Sequence, residues 1–191
     1  MSIPKIDRRI IKTRLTLQSS LVHLSIEKGF DNVTVQTIID HAGVSRSTFY
    51  AHYTDKSDLL VASIQNLKAS LVHQWKQDIE AGQVKGELRF VLNLLLHIGD
   101  SRHVWRGLSR GESARIIDRE FRLMLAEMTR RDLGLGRSAK SCDEAVVACV
   151  VGSLMALIEA WMEDRVQGTA AEVSSMFEKL TIRGVNAVLV P

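Results

Sequence analysis

An all-α fold is what this sequence predicts, and three observations carry it. Proline occurs only at positions 4 and 191, so no ring interrupts the backbone hydrogen bonding of a helix anywhere between them. Apolar residues recur at three- and four-residue intervals along the long segments, the period that lines one face of an α-helix. No segment shows the strict alternation of apolar and polar residues that marks a half-buried strand. At 191 residues the chain can bury a substantial core without disulfides. It reads as three short N-terminal helices in residues 1–56 followed by a larger helical bundle in residues 57–191, about nine helices in total.

Each element has a local reason. From Arg8 to Lys28, Ile11, Leu15, Leu21, Val22 and Leu24 trace one face of a first helix, and Gly29 stands just past its end, where a left-handed residue commonly closes a helix. Thr34 caps a short helix from Val35 to His41 that Ala42-Gly43 ends, and Ser45 caps another from Arg46 to about His52. Asp55 or Ser57 opens a much longer fourth helix through Leu59, Leu60, Ile64, Leu67 and Leu71, ending near Gly82. Helices follow at about 84–99, 102–109, 112–133, 140–166 and 170–189, separated by glycine-containing or polar breaks. The first three are short and tightly turned and the rest have the length of a bundle, which puts the domain boundary within the fourth. No internal repeat or low-complexity tract interrupts this order.

The net charge of +3 is unevenly placed. Residues 1–56 hold eight Lys/Arg against five Asp/Glu, whereas residues 57–191 hold seventeen of each. A basic N-terminal segment attracts nucleic acid or an anionic membrane, and equally describes a solvated surface. Cys142 and Cys149 lie seven residues apart in one apolar segment, on one face of a helix, where they do not readily bond to each other. A reducing compartment follows. The basic start lacks the apolar core of a signal peptide. The longest apolar run, Ala145 to Ile158, is too short to cross a bilayer, so a soluble cytoplasmic protein is expected.

The most informative segment is Thr34-Val-Gln-Thr-Ile-Ile-Asp-His-Ala-Gly-Val-Ser-Arg-Ser-Thr-Phe-Tyr-Ala-His-Tyr. Two short helices joined through Ala42-Gly43-Val44 make a helix-turn-helix. Ile38, Ile39, Val44 and Phe49 are placed to lock the pair against Leu21, Val22 and Ile26 of the first helix. That leaves Ser45, Arg46, Ser47, Thr48, Tyr50 and His52, polar side chains of a size and shape that can enter a major groove. The same geometry also occurs in enzymes, where such residues merely face water.

Residues 13–60 go further. Glu27-Lys28-Gly29-Phe30, Val33-Thr34-Val35, Ala42-Gly43-Val44-Ser45, Thr48-Phe49-Tyr50-Ala51-His52-Tyr53 and Lys56-Ser57-Asp58-Leu59 occur in that order. This succession resembles the DNA-binding domain of the TetR, or tetracycline-repressor-type, family. The resemblance implies a homodimeric transcriptional regulator, most naturally a repressor, that leaves a near-palindromic operator when a small molecule of unknown identity binds the C-terminal domain. It places Thr34 and Gln36 against phosphate or a groove edge, Ser45, Arg46, Ser47 and Thr48 on bases, Tyr50, His52 and Tyr53 on the flanking backbone, and Lys56 on a phosphate. Two positions depart from the family's pattern: Ser19-Ser20 stands where Ala-Ala is common, and Ile39 replaces alanine.

The resemblance also implies that the last two long helices form a four-helix interface with a second subunit. Val146, Val150, Val151, Leu154, Ile158 and Trp161 make an apolar stripe on the penultimate helix, and Val173, Met176, Phe177, Leu180 and Val185 one on the last. Of these, Val150, Leu154, Ile158, Trp161, Phe177 and Leu180 are the candidate interface residues, although a face buried within one chain has the same pattern. Trp75, His97, His103, Trp105 and Met128 are candidates to line an effector pocket, and core packing explains each singly.

Residues 102–131 carry eight arginines against four acids, with Arg102, Arg106 and Arg110 stepping by four. They suit either an anionic effector or a solvated, ion-paired face. Neither cysteine has a basic neighbour within one turn to activate it, so both read as inert buried thiols. The six histidines form no metal-ligand cluster. No phosphate-cradling loop, nucleophile elbow or His-Glu-x-x-His helix is present, so neither metal, cofactor nor catalytic activity is expected.

Overall fold

The computed structural model describes residues 8–80, 88–108, 111–135 and 141–189. Among these are nine α-helices, one 3-10 turn and no strand. The chain divides into two compact units, one formed by residues up to Gln65 together with His103–Asp118, the other by Asn66–Arg102 and Arg119 onward.

The first unit holds α1 (Arg8–Lys28), the 3-10 turn Phe30–Asn32, α2 (Val35–Ala42), α3 (Arg46–Tyr50), the start of α4 (Lys56–Glu80), α6 (Arg102–Leu108) from its second residue on, and the first turns of α7 (Gly111–Asp132). α1 packs against α2 and against the 3-10 turn. Its buried face is Leu17, Leu21 and Leu24, while Ile11 and Leu15 are exposed, so the inward stripe begins two turns later than the apolar spacing suggests. Opposite it Ile38, Ile39, Phe49, Leu59 and Leu60 are all buried. The two departures from the family pattern fit locally. Ser20 is buried and its Oγ pairs with His41 Nδ1 at 3.0 Å, and Ile39 is absorbed into the core at 4% exposure.

The second unit holds the rest of α4 and α7 with α5 (Phe90–Asp100), α8 (Ser141–Met162) and α9 (Ala170–Leu189). The described part of α5 starts at Phe90, preceded by the left-handed Leu88 and by Arg89, later than the residue-84 start expected; residues 84–87 and Gly82 lie outside the described residues. α9 packs against both α5 and α8. Asp132, whose carboxyl is almost fully buried, accepts from Trp75 Nε1 at 3.1 Å and Arg89 Nε at 3.2 Å. A buried carboxylate needs such partners. Arg102 lies 4.8 Å over the Trp161 ring and donates to Trp161 O and Asp164 Oδ1, each at 2.9 Å.

α8 corrects the apolar-run argument. At 22 residues, with an 18-residue window of mean hydropathy 2.0, it is long and apolar enough to cross a membrane by length and composition alone, because the helix extends beyond the run at both ends. Half of its apolar window is buried inside the chain. Val150, Leu154 and Ile158 have no exposed surface at all, which makes α8 the core helix of the second unit.

Candidate nucleic-acid interface

The helix-turn-helix is set by its caps. Thr34 Oγ1 accepts from Thr37 N at 3.1 Å while Thr37 Oγ1 accepts from Thr34 N at 3.1 Å, a reciprocal capping box built from two threonines. This satisfies amides that a helix start leaves unpaired. Gly43, at φ 63° and ψ 34°, closes α2 in the left-handed conformation, with its amide on Asp40 O and that of Val44 on Ile39 O. Only glycine adopts that conformation without a Cβ penalty. Ser45 Oγ then accepts from Thr48 N at 3.1 Å to start α3. Asp55, rather than Ser57, opens α4: its Oδ1 accepts from the amides of Ser57 and Asp58, both at 2.8 Å.

With the caps in place, the polar residues sort by exposure. Phe49 is fully buried and anchors α3. Thr34, Gln36, Ser45, Arg46, Ser47 and Tyr50 are exposed, and Thr48, His52 and Lys56 are half-buried. Ser45 is committed to capping and also pairs with Ser47 Oγ at 2.9 Å and Thr48 Oγ1 at 2.7 Å. Gln36 Nε2 donates to Asp40 Oδ1 at 2.8 Å. Arg46 lies 5.5 Å from the Tyr50 ring centroid one turn on, and Tyr50 packs edge-on against Phe49 at 5.4 Å. The strongest long-reaching donor on α3 is thus steadied by a ring that the core itself orients.

Two expected contacts need revision. Tyr53 is only 5% exposed and its hydroxyl accepts from Gln18 Nε2 at 3.3 Å. It is a core residue joining the segment after α3 to α1, and burial raises its pKa above 10.0, partly opposed by the Gln18 bond. Lys56 is not a free charge: its Nζ donates to Phe30 O at 2.9 Å and Asp31 O at 3.3 Å and lies 4.5 Å over the Phe30 ring. Sequence reasoning missed Gln18, Ser20 and His41, which tie α1 to α2 and Tyr53. No local motif marks such pairs, since their partners lie 21 and 35 residues away.

The remaining candidates divide differently. Trp75 and Met128, with Val72, Phe90 and Arg131, line a cavity of only about 10 Å³, far below the size of a drug-sized ligand site. His97 is exposed on α5, its pKa lowered by partial burial against the opposing pull of Asp100. His103 and Trp105 sit on α6 in the first unit, the former exposed and the latter half-buried. The structure joins only Trp75 and Met128. In the arginine-rich stretch, Arg102 is spent on Trp161 and Asp164, Arg106 lines a cleft beside the 3-10 turn, and Arg110 lies outside the described residues. Cys142 and Cys149 are both exposed, not buried, because the inward face of α8 is taken by its valines and leucines.

The expected interface stripe is corrected as well. Val150, Leu154, Ile158, Trp161 and Phe177 are between 0 and 3% exposed within the single chain, so they have no surface left to give a partner. Leu180 is 76% exposed. It stands with Ala145, Cys149, Ser153, Gly184 and Val188 along an open groove of about 540 Å³ between α8 and α9. The apolar period identified helices with two apolar faces, and the broader one is internal.

Two short capped helices on a supporting first helix, with an exposed polar face, define a helix-turn-helix DNA-binding head on an all-helical chain. Residues 21–63 match the family model for bacterial regulatory proteins of the tetR family. The match takes in the helix-turn-helix with the end of α1 and the start of α4. It is 35% identical over 69 residues to the uncharacterized HTH-type transcriptional regulator YxbF of Bacillus subtilis (strain 168), a match that takes in 36% of this chain and 18% of that protein. The chain therefore spans less than a fifth of the length of that curated relative. The whole fold is similar to a TetR transcriptional regulator from Streptococcus agalactiae 2603V, with a TM-score of 0.65, 22% identity, and coverage of 92% of this chain and 96% of that one. It is also similar to SmeT in its complex with triclosan, at a TM-score of 0.57, 17% identity, and coverage of 94% and 95%.

Proposed function

We propose that the protein is a cytoplasmic, homodimeric transcriptional repressor that binds a near-palindromic operator and leaves it when a small molecule binds the C-terminal half. The observation that carries the reading is the exposed set Gln36, Arg46, Ser47 and Tyr50 on helices whose caps and core side chains are otherwise committed. Arg46 reads a base edge, where an arginine is the commonest specific reader. Thr34, Gln36, Ser47, Thr48, Tyr50 and His52 hold phosphates or groove edges, and Lys56 adds charge beside them while holding the 3-10 turn. The division into a head of residues 1–56 and an effector and dimer region of 57–191 belongs to this reading, with α4 common to both.

Dimerisation uses the outward faces of α8 and α9 around Leu180, and sets two heads about 34 to 36 Å apart on successive major grooves. A small-molecule effector is in keeping with the similarity to SmeT, a protein of this fold that binds triclosan. No catalysis is part of the reading.

Selection of bound DNA from a random pool by the purified protein tests it, followed by the affinity of the winner against salt. The expected result is an enriched near-palindromic site with a log-log salt slope of several phosphate contacts. Binding that is equally weak for all sequences, in protein refolded free of small molecules, would overturn it.

A further inference from the structure

We propose that Asp31 is a positioning residue that ties the start of the helix-turn-helix to the start of α7, so that a shift of the α6–α7 corner is felt at α2. Its consequence for DNA rests on the reading above, whereas the linkage itself can be measured without DNA. The amide of Glu112, in the first turn of α7, donates to Asp31 Oδ1 at 3.1 Å across 81 residues of sequence. A carboxylate there satisfies an amide that the helix leaves unpaired and meets the positive end of the helix dipole. Gly111 makes the approach possible. Its φ is +64°, and a Cβ at that position would collide with the Asp31 carboxylate.

Asp31 is the middle residue of the turn Phe30–Asn32, and that turn is held from every side. Asn32 Nδ2 donates to Lys28 O at 2.8 Å, anchoring it to the end of α1. Lys56, the first residue of α4, donates to Phe30 O and Asp31 O. Val33, buried at 2% exposure, then leads directly to Thr34, the cap of α2. α6 closes on the same corner: Gly107 backs onto α1 so tightly that a Cβ would stand 3.2 Å from Ile26 Cα. One three-residue turn thus receives the ends of α1, α4 and α7 and delivers the chain to α2. An isolated surface cap would stabilise α7 only. This cap belongs to a residue whose own backbone is a support of the recognition motif.

The test is amide hydrogen exchange on the full-length protein, comparing wild type with Asp31→Ala and Asp31→Asn. In Asp31→Ala the Glu112 amide is expected to exchange about tenfold faster, the usual consequence of losing a helix cap. The Thr37 and Ile38 amides of α2 follow by about threefold. Asp31→Asn, which keeps an acceptor, falls between. Faster exchange at Glu112 with wild-type exchange at Thr37 and Ile38 would overturn the proposal. Exchange is read on free protein, so a failure to select any operator would count against the DNA-binding reading alone.

Discussion

Arg46 and Tyr53 show how differently two neighbouring polar residues are used. Arg46 is exposed and pre-oriented over Tyr50, so in the proposed complex its guanidinium would lose less side-chain freedom on meeting a base. Arg46→Ala is expected to weaken binding to the selected operator by about 1 to 3 kcal/mol and to narrow the gap between operator and scrambled DNA. Fluorescence anisotropy on both duplexes checks it, and an equal loss on the two would assign Arg46 to phosphate instead. Tyr53 lies inward, and its raised pKa makes it a stability group. A phenol whose folded pKa exceeds its unfolded value of about 10 contributes stability that is complete below that pH and is lost as pH rises through the folded pKa. Denaturant midpoints measured from pH 8 to 11 are expected to fall above pH 10 in wild type. Tyr53→Phe is expected to start lower, because the buried hydrogen bond from Gln18 is lost, and to decline less steeply.

At the scale of the element, α3 has only five residues, too few to persist without help from caps and packing. Ser45 supplies the cap and Phe49 the packing. Ser45→Ala is expected to cost about 1 kcal/mol of stability and to reduce DNA binding by more than Thr34→Ala does, since α2 retains Thr37 as a local partner for its first turn. Paired denaturation and binding curves compare the two losses. These caps were legible in the sequence because a cap acts over three residues, and so were the limits of α1, α2, α6 and α9 to within a residue or so. The inward face of α1 was not. Ile11 and Leu15 keep helical spacing with Leu21, yet both are exposed, and spacing carries no information about where a partner helix begins. The roles of Tyr53, Lys56 and Asp31 were hidden for the same reason. Each depends on a partner at least 25 residues away, and only the fold brings them together.

For the whole molecule, the affinity of one small head is the limiting quantity. A single helix-turn-helix with a five-residue α3 offers few base contacts, and the excess positive charge of the chain is only +3, so one head alone binds weakly. Linking two heads makes the second contact intramolecular and raises overall affinity by about 10² to 10⁴ without any new contact. In the proposed dimer that linkage would use the outward side of α8 and α9, because their inward sides are filled by the chain's own core. Leu180, 76% exposed beside Gly184 and Val188, is its most prominent apolar side chain, and the small residues Ala145, Cys149 and Ser153 across the groove leave room for a partner helix to approach. Leu180→Arg places a charge where a partner leucine would pack, at a position that contributes little to the fold of one chain. Sedimentation is expected to show a dimer for wild type and a monomer for the variant at micromolar concentration, with unchanged helical circular dichroism and at least about a hundredfold loss of operator affinity. A variant that still sediments as a dimer would move the interface elsewhere, and a monomer that kept full affinity would show that one head suffices.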